Sequence, residues 1–349
     1  MRRLIPLLTI IASVVGFGAV SLPAPHVERN EPMSRQAKSY LDAAIGLFRE
    51  QHINSSKMDW PALTSKAYAA ATGAKTTADT YPAIRLIISE LGEKHTILIE
   101  PDQAKADLTG KASGSAHAPL FVLPQATRIG DRIGLIRLYA FIGSAAQGHI
   151  YARTAQAEVN SLKRQGVCRF IVDLREDGGG NMYPMLNGVS GLLEPGLLGS
   201  FETPQRKFMP WTLNNGVVAS QPPQGTRPIA TENQTARPLA VLIGPHTGSS
   251  GEFTAMSFEG RASTRFFGAP TAGYVTGNVP ITLSDGALIL MTASWGLDRT
   301  GKRYLDRIEP DESISFLDEL IGKGIIKSAV KWLSAQPCPK PVHRAVALH

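Results

Sequence analysis

The chain has 349 residues, 43% of them apolar, enough to bury a sizeable core and more naturally two units than one. Its net charge is +7, but the basic residues are scattered, with no Lys/Arg block and no basic stripe interleaved with aromatics. That describes an ordinary basic surface and argues against a nucleic-acid partner.

The N-terminus reads MRR, then LIPLLTIIASVVGFGAV, then SLPAPHVERNEP. A positive start, a short apolar run and small residues such as Ala19 and Ser21 near a break describe an export signal over residues 1–21. An uncleaved membrane anchor is the alternative, since the run is only slightly short for a span. The protein is expected to be exported, periplasmic or secreted. Residues 33–95 read as a helical unit, with apolar residues at three-and-four spacing in SRQAKSYLDAAIGLFREQ, Pro61 at a first helical position and Gly92 at a stop. Residues 96–128, rich in Gly, Ala and Ser, read as a loose connection.

From 129 to 337, strands alternate with helices, followed by a tail at 338–349. Strand GLIRLYAF precedes helix AAQGHIYARTAQAEVNSLKRQG, strand VCRFIVDLR and helix MYPMLNGVSGLL. LGSFETPQRKFMPW and its sequel to about residue 236 read as a strand and a long surface loop. Strand PLAVLIG, helix SGEFTAMSFEGR, strand TRFFGAP, the β-rich PITLSDGALILMTASWGL and a last helix from Asp318 to Ala335 complete the core. This alternation predicts an α/β fold with a mainly parallel sheet. Cys168, inside an apolar strand, reads as a buried free thiol, although it can pair with Cys338 in an oxidising compartment. No Cys or His spacing matches a metal site, so neither metal nor cofactor is expected.

Two glycine-rich turns follow strands, where sites form in open α/β sheets: IVDLREDGGGN and VLIGPHTGSSGE. Ser249, at a helix start, suits a nucleophile beside backbone N–H donors, and equally suits an N-cap with Glu252 completing a capping box. An α/β-hydrolase is disfavoured, because only His343 and His349 follow the serine and the G-x-S-x-G elbow is absent.

IVDLREDGGG resembles the DLR-x-N-x-GG stretch of the C-terminal-processing (tail-specific) serine peptidases, relatives of the tricorn core and of interphotoreceptor retinoid-binding protein. GPHTGSSGEFTAMSF resembles their S-A-S-E segment, FFGAPTAG their G-x-P-T-x-G, IEPD their G-[IV]-x-P-D and LGEKHT their L-G-D-x-H-[ST]. The resemblance implies a ClpP/crotonase-like core after a small helical domain. It makes Ser249 the nucleophile, three positions before the motif glutamate, with the Ser250 N–H and that of Gly179 or Gly180 as the oxyanion hole. Tyr274 stands where the best-known members carry a catalytic lysine; the tricorn-type alternative is a histidine, here His95, with His246 as a rival. The position of the tricorn-type acid falls on Tyr304; Asp298, Asp306 and Glu309 are near, and Asp306 is the choice. The roughly 40 residues between His95 and Gly134 are too few for a PDZ domain.

The expected function is a serine endopeptidase acting on extended or unfolded polypeptide through an acyl-enzyme, with substrate added along an edge strand near residues 279–293. A non-catalytic binder of peptides or apolar ligands and an esterase on the same scaffold are the alternatives.

Overall fold

A computed structural model of the chain describes residues 32–109, 121–222, 224, 237–314 and 324–338. The expected signal at 1–21, the centre of the 96–128 connection and the tail beyond Cys338 lie outside the described residues.

Helices α1 (Arg35–Gln51), α2 (Trp60–Ala70) and α3 (Tyr81–Glu90) form where the apolar spacing places them. Ser34 and Asp59 cap α1 and α2 by accepting the N–H groups of Ala37 and Ala62, each at 3.1 Å. Within 96–128 the chain is more regular than expected. It forms β1 (Ile97–Ile99), α4 (Pro101–Thr109) and β2 (Gln125–Arg128). The apolar triplet Ile97-Leu98-Ile99 is too short to stand out in sequence and becomes a strand by pairing with a distant one.

The core continues with β3 (Ile133–Arg137), α5 (Ala145–Arg164), β4 (Arg169–Asp173), α6 (Met182–Gly188), β5 (Gly196–Glu202), β6 (Phe208–Asn214) and β7 (Val217–Ser220). It ends with β8 (Leu239–Ile243), α7 (Ser250–Met256), β9 (Thr264–Gly268), β10 (Thr276–Thr282), β11 (Leu288–Asp298), β12 (Glu312–Ser313) and α8 (Gly324–Ser334). One six-stranded sheet has the order β12-β9-β8-β4-β3-β2 and is parallel except for β2. The second has the order β1-β11-β5-β6-β7, with β10 also on β11, and is antiparallel throughout.

The expectation of a mainly parallel sheet therefore holds for only half of the strands. Short turns impose three of its five pairings, β5-β6, β6-β7 and β10-β11, because two neighbouring strands joined by a hairpin must run oppositely. Asn215 and Gly216, at φ 50° and 81°, make such a turn between β6 and β7, inside the stretch expected to be a loop.

Period-two alternation splits each parallel strand between two cores. Phe170, Val172, Val241 and Ile243 pack with α5, α6 and α7, whereas Ile171, Ala240 and Leu242 pack under Ile325, Ala329 and Leu333 of α8. A third cluster joins Leu41, Phe48, Ile84 and Ile87 of the N-terminal helices to Ile289 and Met291 of β11. The docking of α8 also corrects the free-thiol expectation. It brings Cys338 back to the start of β4, where it forms a disulfide with Cys168 at a Cα–Cα distance of 5.6 Å.

Candidate active site

Because β4 and β8 pair in parallel, the turns that follow them leave the sheet side by side. One hydroxyl ties them together: Thr247 Oγ1 accepts the Gly244 N–H at 3.0 Å and donates to the Leu174 carbonyl at 2.8 Å. The Gly248 N–H adds a bond to the Asp177 carbonyl at 3.0 Å. Gly179, at φ 113°, lies directly against the serine turn. A Cβ there would sit 2.9 Å from both the Gly248 carbonyl oxygen and Ser249 Cβ. Gly180, at φ 107°, leaves no room for a Cβ against the Phe141 carbonyl.

Ser249 adopts φ 48° and ψ −115°, a conformation that costs a non-glycine residue on the order of 1–3 kcal/mol and persists only where its surroundings impose it. Glu252 is part of those surroundings. Its fully buried carboxylate accepts the Ser249 N–H (2.8 Å), the Thr271 hydroxyl (2.5 Å) and the N–H groups of Gly273 (2.9 Å) and Tyr274 (2.7 Å). Burial pushes the Glu252 carboxyl up, and those four hydrogen bonds oppose the rise. One side chain thus joins the serine turn to the APTAG turn.

The neighbouring serine points the other way, and Ser250 Oγ donates to the Gly180 carbonyl at 2.6 Å. Of the oxyanion candidates, the Gly179 N–H is taken by Asp177 Oδ1 at 3.1 Å. Those of Gly180 and Ser250 have no hydrogen-bond partner among the described residues.

His95 arrives from the loop after α3. Glu93 shapes that loop, accepting the N–H groups of His95 (2.5 Å) and Thr96 (3.1 Å), the Thr292 hydroxyl (3.1 Å) and an imidazole bond from buried His52 (3.2 Å). Burial alone would raise the Glu93 carboxyl, but these donors outweigh it and bring the pKa down to about 2. Burial also lowers the pKa of His95, and the Lys94 charge adds to that, against the opposing pull of Glu93 and Thr276. Burial thus favours the neutral imidazole, the form able to accept a proton.

His95 Nδ1 lies 3.0 Å from Thr276 Oγ1, and its ring centroid is 5.0 Å from that of Tyr274. Tyr274 also touches the serine turn, with Cδ2 3.6 Å from where a Gly248 Cβ would be. Among the described residues no hydrogen bond joins His95 to Ser249.

A cavity of about 720 Å³ runs past this loop, lined by Lys94, His95, Thr276, Trp295, Leu305 and Asp306. Asp306 is exposed at its rim and pairs with Arg307 at 3.0 Å, so the partner of His95 Nδ1 is Thr276 and not this acid. Asp298 is buried in its own turn under the Tyr304 hydroxyl (3.0 Å), and Glu309 is exposed beside Arg307. His246 is exposed on the approach to the serine turn. Other acids within the motifs are structural: Asp173 holds Arg137 and Arg175, and Asp311 accepts the Phe266 N–H of β9 at 2.8 Å. Sequence reasoning missed Glu93 and Thr276. Glu93 had a signal, as the acid inside LGEKHT, whereas Thr276 had none. No cluster of three His, Cys, Asp or Glu side chains among the described residues is placed to hold a metal.

Residues 132–314 match Peptidase family S41. The nisin-resistance protein of Lactococcus lactis subsp. lactis is 29% identical over 303 residues, covering 86% of this chain and 87% of that protein. A lipoprotein from Streptococcus agalactiae superposes with a TM-score of 0.69 at 21% identity, over 86% of this chain and 97% of that one. The photosystem II D1 C-terminal processing protease superposes with a TM-score of 0.56 at 18% identity, over 81% and 94% of the two chains. These likenesses fit the two-sheet fold, and with more than half of its length matched the chain belongs to Peptidase family S41.

Proposed function

We propose that the chain is a serine peptidase of the Ser–His type, with Tyr274 in the place of a catalytic lysine. Ser249 Oγ attacks the scissile carbonyl and passes its proton to His95 Nε2, while Nδ1–H is held by Thr276 Oγ1. The free N–H groups of Gly180 and Ser250 receive the developing oxyanion. His95 returns the proton to the leaving amine, and water then hydrolyses the acyl-enzyme. Asp306 lines the cavity without orienting the base. The observation that carries this reading is the strained Ser249 backbone held against Gly179.

Extended polypeptide suits the site. Among the described residues β10 pairs only with β11, leaving an open strand edge that starts at Thr276 beside the cavity. The name of the Lactococcus relative makes nisin the first substrate to try. Export is supported by the MRR-plus-apolar N-terminus and by the Cys168–Cys338 disulfide, a bond typical of oxidising compartments. No helix among the described residues is long and apolar enough to cross a membrane.

The test is labelling of purified residues 33–349 with a fluorophosphonate probe, followed by mass analysis of nisin after incubation. Labelling is expected in the wild type and in a folded Ser250→Ala protein. It is expected to vanish in Ser249→Ala and to fall by about 10³-fold or more in His95→Ala. The missing hydrogen bond between His95 and Ser249 favours a second reading, a peptide-binding protein without catalysis. Catalytic hydrogen bonds often form only when substrate binds, which keeps the Ser–His reading first. Folded wild-type protein that takes no label overturns the Ser–His reading and puts the binding protein first.

A further inference from the structure

Asp177 lies at the centre of the paired turns, and the Ser–His mechanism makes no use of it. Its side chain is fully buried. Oδ1 accepts the Gly179 N–H at 3.1 Å, and its own carbonyl accepts the Gly248 N–H at 3.0 Å. Its main chain and Cγ press so closely on Gly251 that a Cβ there would collide with them. The other oxygen, Oδ2, is buried with no hydrogen-bond partner.

A carboxylate in that place would be a buried charge with a single neutral donor, which is the arrangement that water-excluded sites least tolerate. The Tyr151 hydroxyl of α5 offers no compensating positive charge: burial first, and then the Asp177 charge itself, push its pKa upward and keep it neutral. The guanidinium groups of Arg137 and Arg175 pair with Asp173. Burial raises the Asp177 carboxyl to about 7, with only the Gly179 N–H opposing.

We propose that Asp177 is a positioning residue that serves the site as a neutral acid: protonated, it holds the oxyanion turn through Gly179, and loss of that proton switches acylation off. The switch is electrostatic. An ionised Asp177 would carry its charge between Gly179, whose N–H it accepts at 3.1 Å, and Gly251, where an added Cβ would lie 3.0 Å from its Cγ. Those residues flank the Gly180 and Ser250 N–H groups, and a negative charge beside them opposes the one that develops on the substrate oxygen. The inference rests on Ser249 being the nucleophile.

The experiment is the rate of fluorophosphonate labelling against pH, for wild type and Asp177→Asn. Wild type is expected to lose rate above about pH 7, reaching roughly 100-fold below its maximum at about pH 9, and Asp177→Asn is expected to stay level over the same range. A wild-type rate that stays level to about pH 9, or an alkaline loss that persists in Asp177→Asn, overturns the proposal while leaving Ser249 as nucleophile. No labelling at any pH overturns both. Carbon NMR of Ser249→Ala protein, labelled at its aspartate carboxyls, reads the same group without activity and without the Asn variant. A carboxyl titrating near pH 7 is expected. Aspartates that all titrate below about pH 5 overturn the proposal even if Asp177→Asn does not fold.

Discussion

The turn that carries Ser249 is fixed by backbone: Gly179 lies against it, the Asp177 carbonyl holds Gly248, and the parallel strands β4 and β8 set the spacing. The loop that carries His95 is fixed instead by one carboxylate, Glu93, with the ring steadied by a threonine from another strand. The first half leaves no room for a side chain at Gly179, Gly180 or Gly251. The second depends on charge and can be weakened by degrees. The halves also belong to different cores, one under the parallel sheet and one between the N-terminal helices and β11. Glu252 and the Lys94 ammonium, which donates to the Ala272 carbonyl at 2.8 Å, bridge the gap through the APTAG turn.

The sharpest way to break this contrast is Gly179→Ala. The new Cβ would lie 2.9 Å from the Gly248 carbonyl oxygen and from Ser249 Cβ, at a φ of 113° that alanine rarely adopts. Relief requires the two turns to separate, and the Gly180 and Ser250 N–H groups proposed for the oxyanion move with them. A loss of about 10²–10³ in labelling rate is expected, comparable to losing one oxyanion donor. Strain and overpacking add about 1–3 kcal/mol of destabilisation, measured by denaturant unfolding. Wild-type labelling in this variant would show that Ser249 is not set from beneath.

The backbone half was the more legible in sequence, for a physical reason. Three consecutive glycines after an apolar strand have few uses other than a turn that some atom approaches closely, and the serine, its glutamate and their spacing lie within one short segment. The helical half of the fold was equally plain, because three-and-four spacing and capping residues are local signals. What was hidden depends on distant pairing. Thr276 reaches His95 across 181 residues, and Cys338 reaches Cys168 across 170 only because α8 docks on the sheet. Asn215-Gly216 was a readable hairpin signal, obscured by the Pro- and Gly-rich sequence that follows it. Asp306 drew the reading by its position near IEPD; its carboxylate pairs with Arg307, and the contact of His95 Nδ1 is Thr276.

On the side-chain half, Glu93→Gln gives the next largest effect. The Glu93 pKa is depressed to about 2 in the fold from an ordinary 4.5, so its stabilisation is complete above about pH 5 and is lost as pH falls through 2. With the group partly solvated, about 1–3 kcal/mol is at stake at neutral pH. Glu93→Gln should lower stability by that amount at pH 7, and the gap to wild type should narrow as the pH falls below about 5. Denaturant midpoints across that range measure it. A gap that does not change with pH would mean that shape, and not charge, holds the loop.

The smallest effect separates orientation from assembly. Thr276→Val keeps the volume and β-branching that suit β10 but removes the oxygen 3.0 Å from His95 Nδ1. One neutral hydrogen bond is worth about 0.5–1.5 kcal/mol, so labelling should slow by roughly 2- to 12-fold with stability nearly unchanged. The ring keeps its place against Tyr274, and Glu93 keeps the loop, so the loss falls on the tautomer and angle of the imidazole. The variant should therefore slow acylation at a given probe concentration without altering how tightly the probe first binds. A rate equal to wild type would remove Thr276 from the mechanism and leave the His95 ring oriented by packing alone. A loss approaching that of His95→Ala would show the opposite, that this hydroxyl sets the protonation pattern of the base.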